Sequence, residues 1–355
     1  MLDYIIKRIL LIIPTLFIII LLNFIIVQFA PGGPVENAIA QLRGVQAAGE
    51  AGGIGARLKV SDSYKASQGM DDELVAYIKK LYEFDKPAHE RFIDMVKNYA
   101  TFEFGKSFYQ NKRVIDLVYE RLPISISLGL WSTLIIYAIS IPLGITKAVR
   151  NGERFDSITS FIIAFLYAIP SFLLAIILVM LFAGDGPFSY FPMRGLTSSN
   201  FDELSLLEKV KDYTWHIALP CITLTLSGFA GLTILTKNSF LEEVNKQYVL
   251  TARSKGLSDN SVLYMHVFRN AMLLIITSIP EILLKILFTG TVLIEIIFSL
   301  NGLGLLSYES AINRDYPVVF GTLYIFTLIG LISTLITDIL YVVVDPRIDF
   351  EKRAN

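Results

Sequence analysis

The sequence predicts an all-α, polytopic membrane protein: six transmembrane helices, with an extracytoplasmic insertion between the first and second. Three observations predict it. The 355 residues are 54% hydrophobic and only 18% charged, outside the usual balance of soluble domains. Apolar runs of span length recur along the chain, and the basic residues of the short connections gather on one side.

The same composition excludes several functions. Lys+Arg (31) and Asp+Glu (32) nearly cancel, so no charge excess points to nucleic acid. The single Cys221 rules out an intrachain disulfide and a cysteine-based metal cluster. His89, His216 and His266 lie far apart and lack ligand spacing, so no metal site is expected.

The elements follow in order. Residues 9–30 carry no charge over 22 positions and form the first span. The run is long and lacks a small-x-small cleavage site, so it is read as a retained helix and not a signal peptide. Residues 122–146, 157–184 and 213–236 are likewise free of Asp, Glu, Lys and Arg. Residues 271–298 are apolar but hold Glu281, Lys285 and Glu295, and 316–344 hold only Asp338. A hydrocarbon core about 30 Å thick needs about 20 helical residues, and a helix satisfies its own backbone there.

Orientation comes from the connections. One side carries Lys7, Arg8, Lys147, Arg150, Arg154, Lys246, Arg253, Lys255, Arg269, Arg347, Lys352 and Arg353. The opposite short loops hold only Arg194, Lys209, Lys211 and Arg314. The basic side is expected to be cytoplasmic, with both termini and residues 240–270 there. The chain then divides into 1–30 (N-terminus and first span), an extracytoplasmic segment 31–121, the remaining spans over 122–345 and a cytoplasmic tail 346–355.

The long outer segment has two parts. Residues 36–70 are rich in Gly, Ala, Ser and Gln, and read as a flexible surface excursion. In "DDELVAYIKKLYEF", Leu74, Tyr77, Ile78 and Leu81 recur at helical spacing after acidic residues suited to a helix start. The "GKS" at 105–107 is not a nucleotide-binding loop, because Ala100 stands where the first glycine would be. No other such motif occurs, so no ATP site, and no catalytic residue, is expected in this chain.

The polar stretch "EEVNKQYVLTARSKGLSDNSVLYMHVFRNA" interrupts the apolar runs between the fourth and fifth spans. Its first half reads as a helix with acids first, bases in its last turn and Gly256 at a left-handed stop. Ser258, Asp259 and Asn260 can cap a second helix leading into the fifth span. Ala252 keeps one side of the first helix small, permitting close approach of another surface.

In the fifth span, Lys285 and Glu295 each lie about 40° from Glu281 on a helical wheel, and Thr277 shares that stripe. Each such charge costs roughly 2.5–3.5 kcal/mol in a membrane, so the stripe is expected to face protein or water. Two roles stay open: a Glu281–Lys285 ion pair joining helices, or a lining for a translocation path.

The loop resembles that of the permease subunits of peptide-type ABC importers. The resemblance extends over "IIKRILLIIPTLFIIILLNFIIVQFAPGGP", "FDKPAHERF", "FGKSF", "ERLPISISLGL", "VLIEIIFSLNGLGLLSYESAINRDYPVV" and "DPRIDF". "APGGPVENAIAQL" and "DPRIDFE" are most similar to the microcin C (Yej-type) branch of the oligopeptide/dipeptide permeases. Gly33 departs from the commoner pattern, which has an acid there; Phe268-Arg269 replaces the Leu-Pro of the general importer signature, as in peptide permeases.

The resemblance implies the type I importer permease fold and uptake of oligopeptides or peptide antibiotics across a bacterial inner membrane. It implies a second permease chain, two ATPase subunits or one fused ATPase, and an extracytoplasmic peptide-binding protein. ATP and Mg would belong to the ATPases, with no cofactor in this chain. Tyr248, Thr251, Ala252, Arg253, Lys255, Gly256 and Leu257 are the implied ATPase-coupling residues. Glu295 and Asp338 match acids of the family pattern, which favours a structural role. Two rivals are a proton-coupled secondary peptide carrier relaying through Glu281, Glu295 and Asp338, and a sensor or scaffold.

Overall fold

A computed structural model describes residues 2–29, 86–184, 186–279 and 292–344. The expected outer excursion 36–70, the helix expected near Leu74–Leu81 and the tail from 346 lie outside these residues. The described chain is helical: α1 (Leu2–Phe29), α2 (Ala88–Ala100), α3 (Val114–Val149), α4 (Arg154–Ala168), α5 (Ser171–Phe182), α6 (Leu206–Val244), α7 (Gln247–Ser254), α8 (Asp259–Val262), α9 (Phe268–Thr277), α10 (Val292–Ile297), α11 (Leu303–Ile312) and α12 (Tyr316–Val344). One π turn, Leu263–Val267, joins α8 to α9.

Four stretches are each long and apolar enough to cross a membrane: Ile5–Ile26, Val114–Val149, Leu206–Val244 and Tyr316–Leu340. The α4–α5 pair makes a fifth if counted as one span. The run expected to form one span over 157–184 is not straight, because α4 and α5 meet at 93°. Pro170 supplies no backbone N–H, and it forces Ile169 before it into extended conformation (φ −83°, ψ 121°), so the helix cannot continue. The remaining run, 271–298, is described only at its ends, α9 and α10.

The described residues fall into two units. The first takes residues up to 9, the described part of 120–306, and those from 329 on. Its core runs from Leu128 and Ile136 on α3 through Leu224, Phe229 and Phe240 on α6 to Val249, Val267 and Ile275. Helices α3 and α6 meet through small residues. Ile136, Ser140 and Gly144 recur at four-residue spacing and so share one face. The Ser140 hydroxyl donates to the Phe229 carbonyl at 3.0 Å. A Cβ on Gly144 would stand 2.5 Å from Thr236 Cβ, and one on Gly228 would stand 2.7 Å from Ile136 Cδ1. Close backbone approach of this kind replaces the hydrophobic drive that lipid removes.

Helix α6 begins where the Glu208 carboxylate accepts from the Ser205 N–H (3.0 Å) and hydroxyl (2.7 Å). Its 39 residues rise about 58 Å, well beyond an apolar core, so its ends project past the bilayer.

The second unit holds residues 10–29, 86–119 and 307–328. The Phe92 ring of α2 packs edge-on against Phe17 and Phe24 of α1, at 5.7 and 5.3 Å between centroids. Tyr99, Phe104 and Tyr324 form a second aromatic cluster. The "FGKSF" turn has a structural job here. The Ser107 hydroxyl donates to Asp315 Oδ2 (2.5 Å) and the Phe108 N–H to Oδ1 (3.2 Å), anchoring the turn at the start of α12. Burial outweighs these bonds and holds the Asp315 carboxyl above its ordinary range.

Candidate functional site: the polar corner between α6 and α9

The polar stretch that interrupts the apolar runs forms a compact corner. Helix α6 stops at Val244, and the Asn245 amide donates back to the Leu241 carbonyl at 2.8 Å. The expected single helix from Glu242 onward is therefore two. Glu242 and Glu243 end α6, and α7 has no acid in its first turn. Lys246 closes the break by pairing with Glu243, which holds its ammonium above the ordinary lysine range. The Tyr248 hydroxyl donates to Glu243 Oε2 (2.6 Å) and receives the Asn270 amide (3.3 Å), tying α7 to the ends of α6 and α9. Burial, then the Glu243 bond, pushes the Tyr248 phenol up.

Helix α7 has two faces. Val249 and Ala252 (6% exposed) turn inward and join the unit's own core. Leu250 (58% exposed), Thr251, Arg253, Lys255, Gly256 and Leu257 form the outward surface. The small Ala252 side chain thus admits the protein's own packing against α7.

Gly256 sits at φ +82°, as the left-handed stop requires. Its N–H donates to the Arg253 carbonyl (2.9 Å), and the Leu257 N–H to that of Ala252 (3.4 Å). These are the paired bonds of a Schellman stop, which satisfies the last carbonyls of the helix. Ser258 then opens α8 by accepting from the Ser261 N–H at 3.4 Å. Arg253 Nε reaches Asp259 Oδ1 at 3.1 Å across the turn, an exposed pair of small energetic weight.

The corner rests on α6 and on the end of α3. The Phe268 and Phe240 rings pack at 5.8 Å, and the Ser239 hydroxyl donates to the Ala271 carbonyl at 2.7 Å. A groove of about 240 Å³ separates α7 and α8 from Ala148, Val149 and Val244, with Arg253, Asp259 and Asn260 at its polar rim. In chemical terms the site offers a basic and partly apolar knob.

The intramembrane charges have separate places. Glu295 is fully buried; its Oε2 accepts the Leu305 N–H at 2.7 Å, in the first turn of α11. A Cβ on Gly302 would lie 2.5 Å from that carboxylate, which would have to shift to admit it. Asp338 pairs with Arg8 Nε at 2.9 Å. Glu281 and Lys285 lie outside the described residues. Thr277, expected on their stripe, bonds back to the Leu274 carbonyl.

Sequence reasoning missed the Glu243–Tyr248–Asn270 clasp. Its signal was weak: an acid, a phenol and an amide in the midst of a basic loop.

Comparison with known proteins adds to this geometry. The family model for the inner membrane component of binding-protein-dependent transport systems matches residues 140–350. The chain is 54% identical over 364 aligned positions to the inner membrane ABC transporter permease protein YejB of Escherichia coli O157:H7, covering 99% of each. It is 52% identical to the peptidoglycan transport system permease protein YejB of Agrobacterium fabrum, again over 99% of each. It is 32% identical to the oligopeptide transport system permease protein AppB of Bacillus subtilis, over 98% of this chain and 99% of that one.

Proposed function

This chain belongs to the family of inner membrane components of binding-protein-dependent transport systems, and from that membership we propose that it is the permease subunit of an ATP-driven peptide importer. It is a multi-pass membrane protein that passes substrate and leaves ATP hydrolysis to partners. A second permease chain completes the path, ATPase subunits bind ATP and Mg, and an extracytoplasmic binding protein delivers peptide. Both termini and the 240–270 corner face the cytoplasm in this reading.

One observation supports the coupling role above others. The exposed knob is capped at both of its turns and leads into the next helix: α7 stops at Gly256, α8 is capped by Ser258, and the chain continues through the π turn into α9. A lever must be stiff at its contact to pass movement on. Thr251, Arg253, Lys255, Gly256 and Leu257, with Leu250 beside them, present the surface an ATPase would grip. Tyr248 and Ala252 hold that surface in place from behind.

The peptide substrate class rests on the oligopeptide and peptidoglycan relatives. Uptake of peptide antibiotics of the microcin C kind is the narrower form of the proposal. Glu295 and Asp338, engaged at a helix start and in an ion pair, are poorly placed for the proton relay a secondary carrier needs.

The test is uptake of labelled oligopeptide and peptidoglycan-derived peptide into vesicles holding the chain and its native partners. ATP-dependent uptake that survives a protonophore supports the importer. Uptake driven by a proton gradient without ATP refutes it, and absence of flux under both conditions points to a sensor.

A further inference from the structure

The first unit buries a charged hub that the coupling corner does not include. Lys147 stands in the last turn of α3 and is 1% exposed. Its ammonium donates to the Asp156 carbonyl (2.9 Å), Thr159 Oγ1 (2.8 Å) and Ser160 Oγ (2.8 Å). It also lies 3.0 Å from Asp156 Oδ1. Lys237, on α6, reaches both Asp156 oxygens at 2.9 and 2.8 Å. The Gly152 N–H adds a third donor to that carboxylate at 3.1 Å. One buried carboxylate therefore joins the end of α3, the first turn of α4 and the C-terminal part of α6.

The charges suit the helix ends that carry them. A cation near the C-terminus of α3 and an anion near the N-terminus of α4 both complement the helix dipoles. A buried ammonium without its anion is costly, because the interior cannot replace its water shell. The hub is therefore held together strongly, and losing its single anion leaves two cations facing each other.

Its position gives it a consequence. Ala148 and Val149, which follow Lys147, and Val244, seven residues beyond Lys237, form one wall of the groove behind α7 and α8. The other end of the hub is α4, the first arm of the helix pair bent by 93°. We infer that Lys147, Asp156 and Lys237 are positioning residues that fix the coupling corner to the bent α4–α5 pair, so that movement at the corner reaches that pair. This rests on the importer reading above.

The test uses Asp156→Asn, which keeps the shape and removes the anion, and Asp156→Asn with Lys237→Met, which also removes the surplus cation. Two readouts are compared: peptide uptake and ATP hydrolysis by the complex with native partners, and backbone hydrogen exchange of the chain in detergent. The expected result for Asp156→Asn is faster exchange over 247–267 but not over 303–312, hydrolysis within about twofold of the parent, and uptake lower by about tenfold, within the range of site–site coupling. The double variant should recover part of both losses, because the repulsion between the cations is gone and Lys147 keeps its bonds to the Asp156 carbonyl, Thr159 and Ser160.

Unchanged exchange at 247–267 overturns the inference, as does a parallel fall of uptake and hydrolysis in an assembled complex. So does a double variant no better than the single one. If the parent complex shows no ATP-driven uptake, the importer reading fails, while the exchange measurement still decides whether the hub holds the corner.

Discussion

Replacing Gly256 by valine isolates the contribution of one backbone angle. At φ +82° a Cβ would meet nothing within 4 Å, so the branch point of the new side chain finds open space. The cost that the backbone angle sets is conformational. An L-residue in the left-handed region costs roughly 1–2 kcal/mol, and a β-branched one stands at the upper end. The chain can escape by giving up the bonds from Gly256 to Arg253 and from Leu257 to Ala252, each worth about 0.5–1.5 kcal/mol net. Either way the corner geometry loses a factor of roughly 5–30 in population, too little to unfold a domain stabilised by about 5–15 kcal/mol. Gly256→Val should therefore insert and fold normally, yet dock its ATPase weakly and hydrolyse ATP with little uptake. Gly256→Asn is the control, since asparagine enters the left-handed region at small cost, and it should behave nearly as the parent. The assay is cross-linking of Leu250→Cys, on the outward face, to a cysteine in the ATPase, with uptake per ATP measured in parallel. Full cross-linking and uptake in Gly256→Val, or equal damage from Asn and Val, would refute the reasoning.

Other outcomes follow from the same structure. The purified chain alone should show no ATP hydrolysis above background, with activity appearing only when ATPase partners are added. Gly302→Ala should lower the melting temperature in detergent, because its methyl would have to displace the Glu295 carboxylate; Glu295→Gln combined with it should not restore stability, since the crowding remains. Tyr248→Phe should cost about 1 kcal/mol locally, seen as faster hydrogen exchange at the start of α7 with insertion unchanged. The Asp315 carboxyl is held above its ordinary range by burial, so folding favours its protonated form. The stability it contributes is complete below the unfolded pKa of about 3.9 and is lost as pH rises through the folded value. Melting of Asp315→Asn should lack that acidic dependence; an unchanged pH profile would show the group is not responsible.

Much of the helical plan was legible because lipid imposes a simple rule on composition. The charge-free runs 122–146 and 213–236 lie within α3 and α6, and they end at Lys147 and Lys237, the two cations of the buried hub. The left-handed stop at Gly256 was readable from local chemistry, since glycine after a basic turn has few other uses. The bend at Ile169–Pro170 was not, because the residues on both sides are equally apolar and only the backbone rule at proline distinguishes them. The facing of Ala252 was also hidden: a small residue permits close approach, but nothing local says of what. Pairings that span the chain had no local signature, as with Lys237 and Asp156, 81 positions apart, or Ser107 and Asp315, 208 apart.

The π turn at Leu263–Val267 bears on how the corner can move. There the Phe268 N–H donates to the Leu263 carbonyl, five residues back and not four. The turn stores one surplus residue inside an otherwise regular run from Asp259 to Thr277. If that residue is released to one end, every side chain beyond it advances by about 100° and 1.5 Å along the axis. Such a slip changes which face of α9 meets its neighbours without breaking the helix, through the exchange of a few backbone bonds. A one-residue slip at this joint would therefore turn the helix beyond it as well as shift it along its axis.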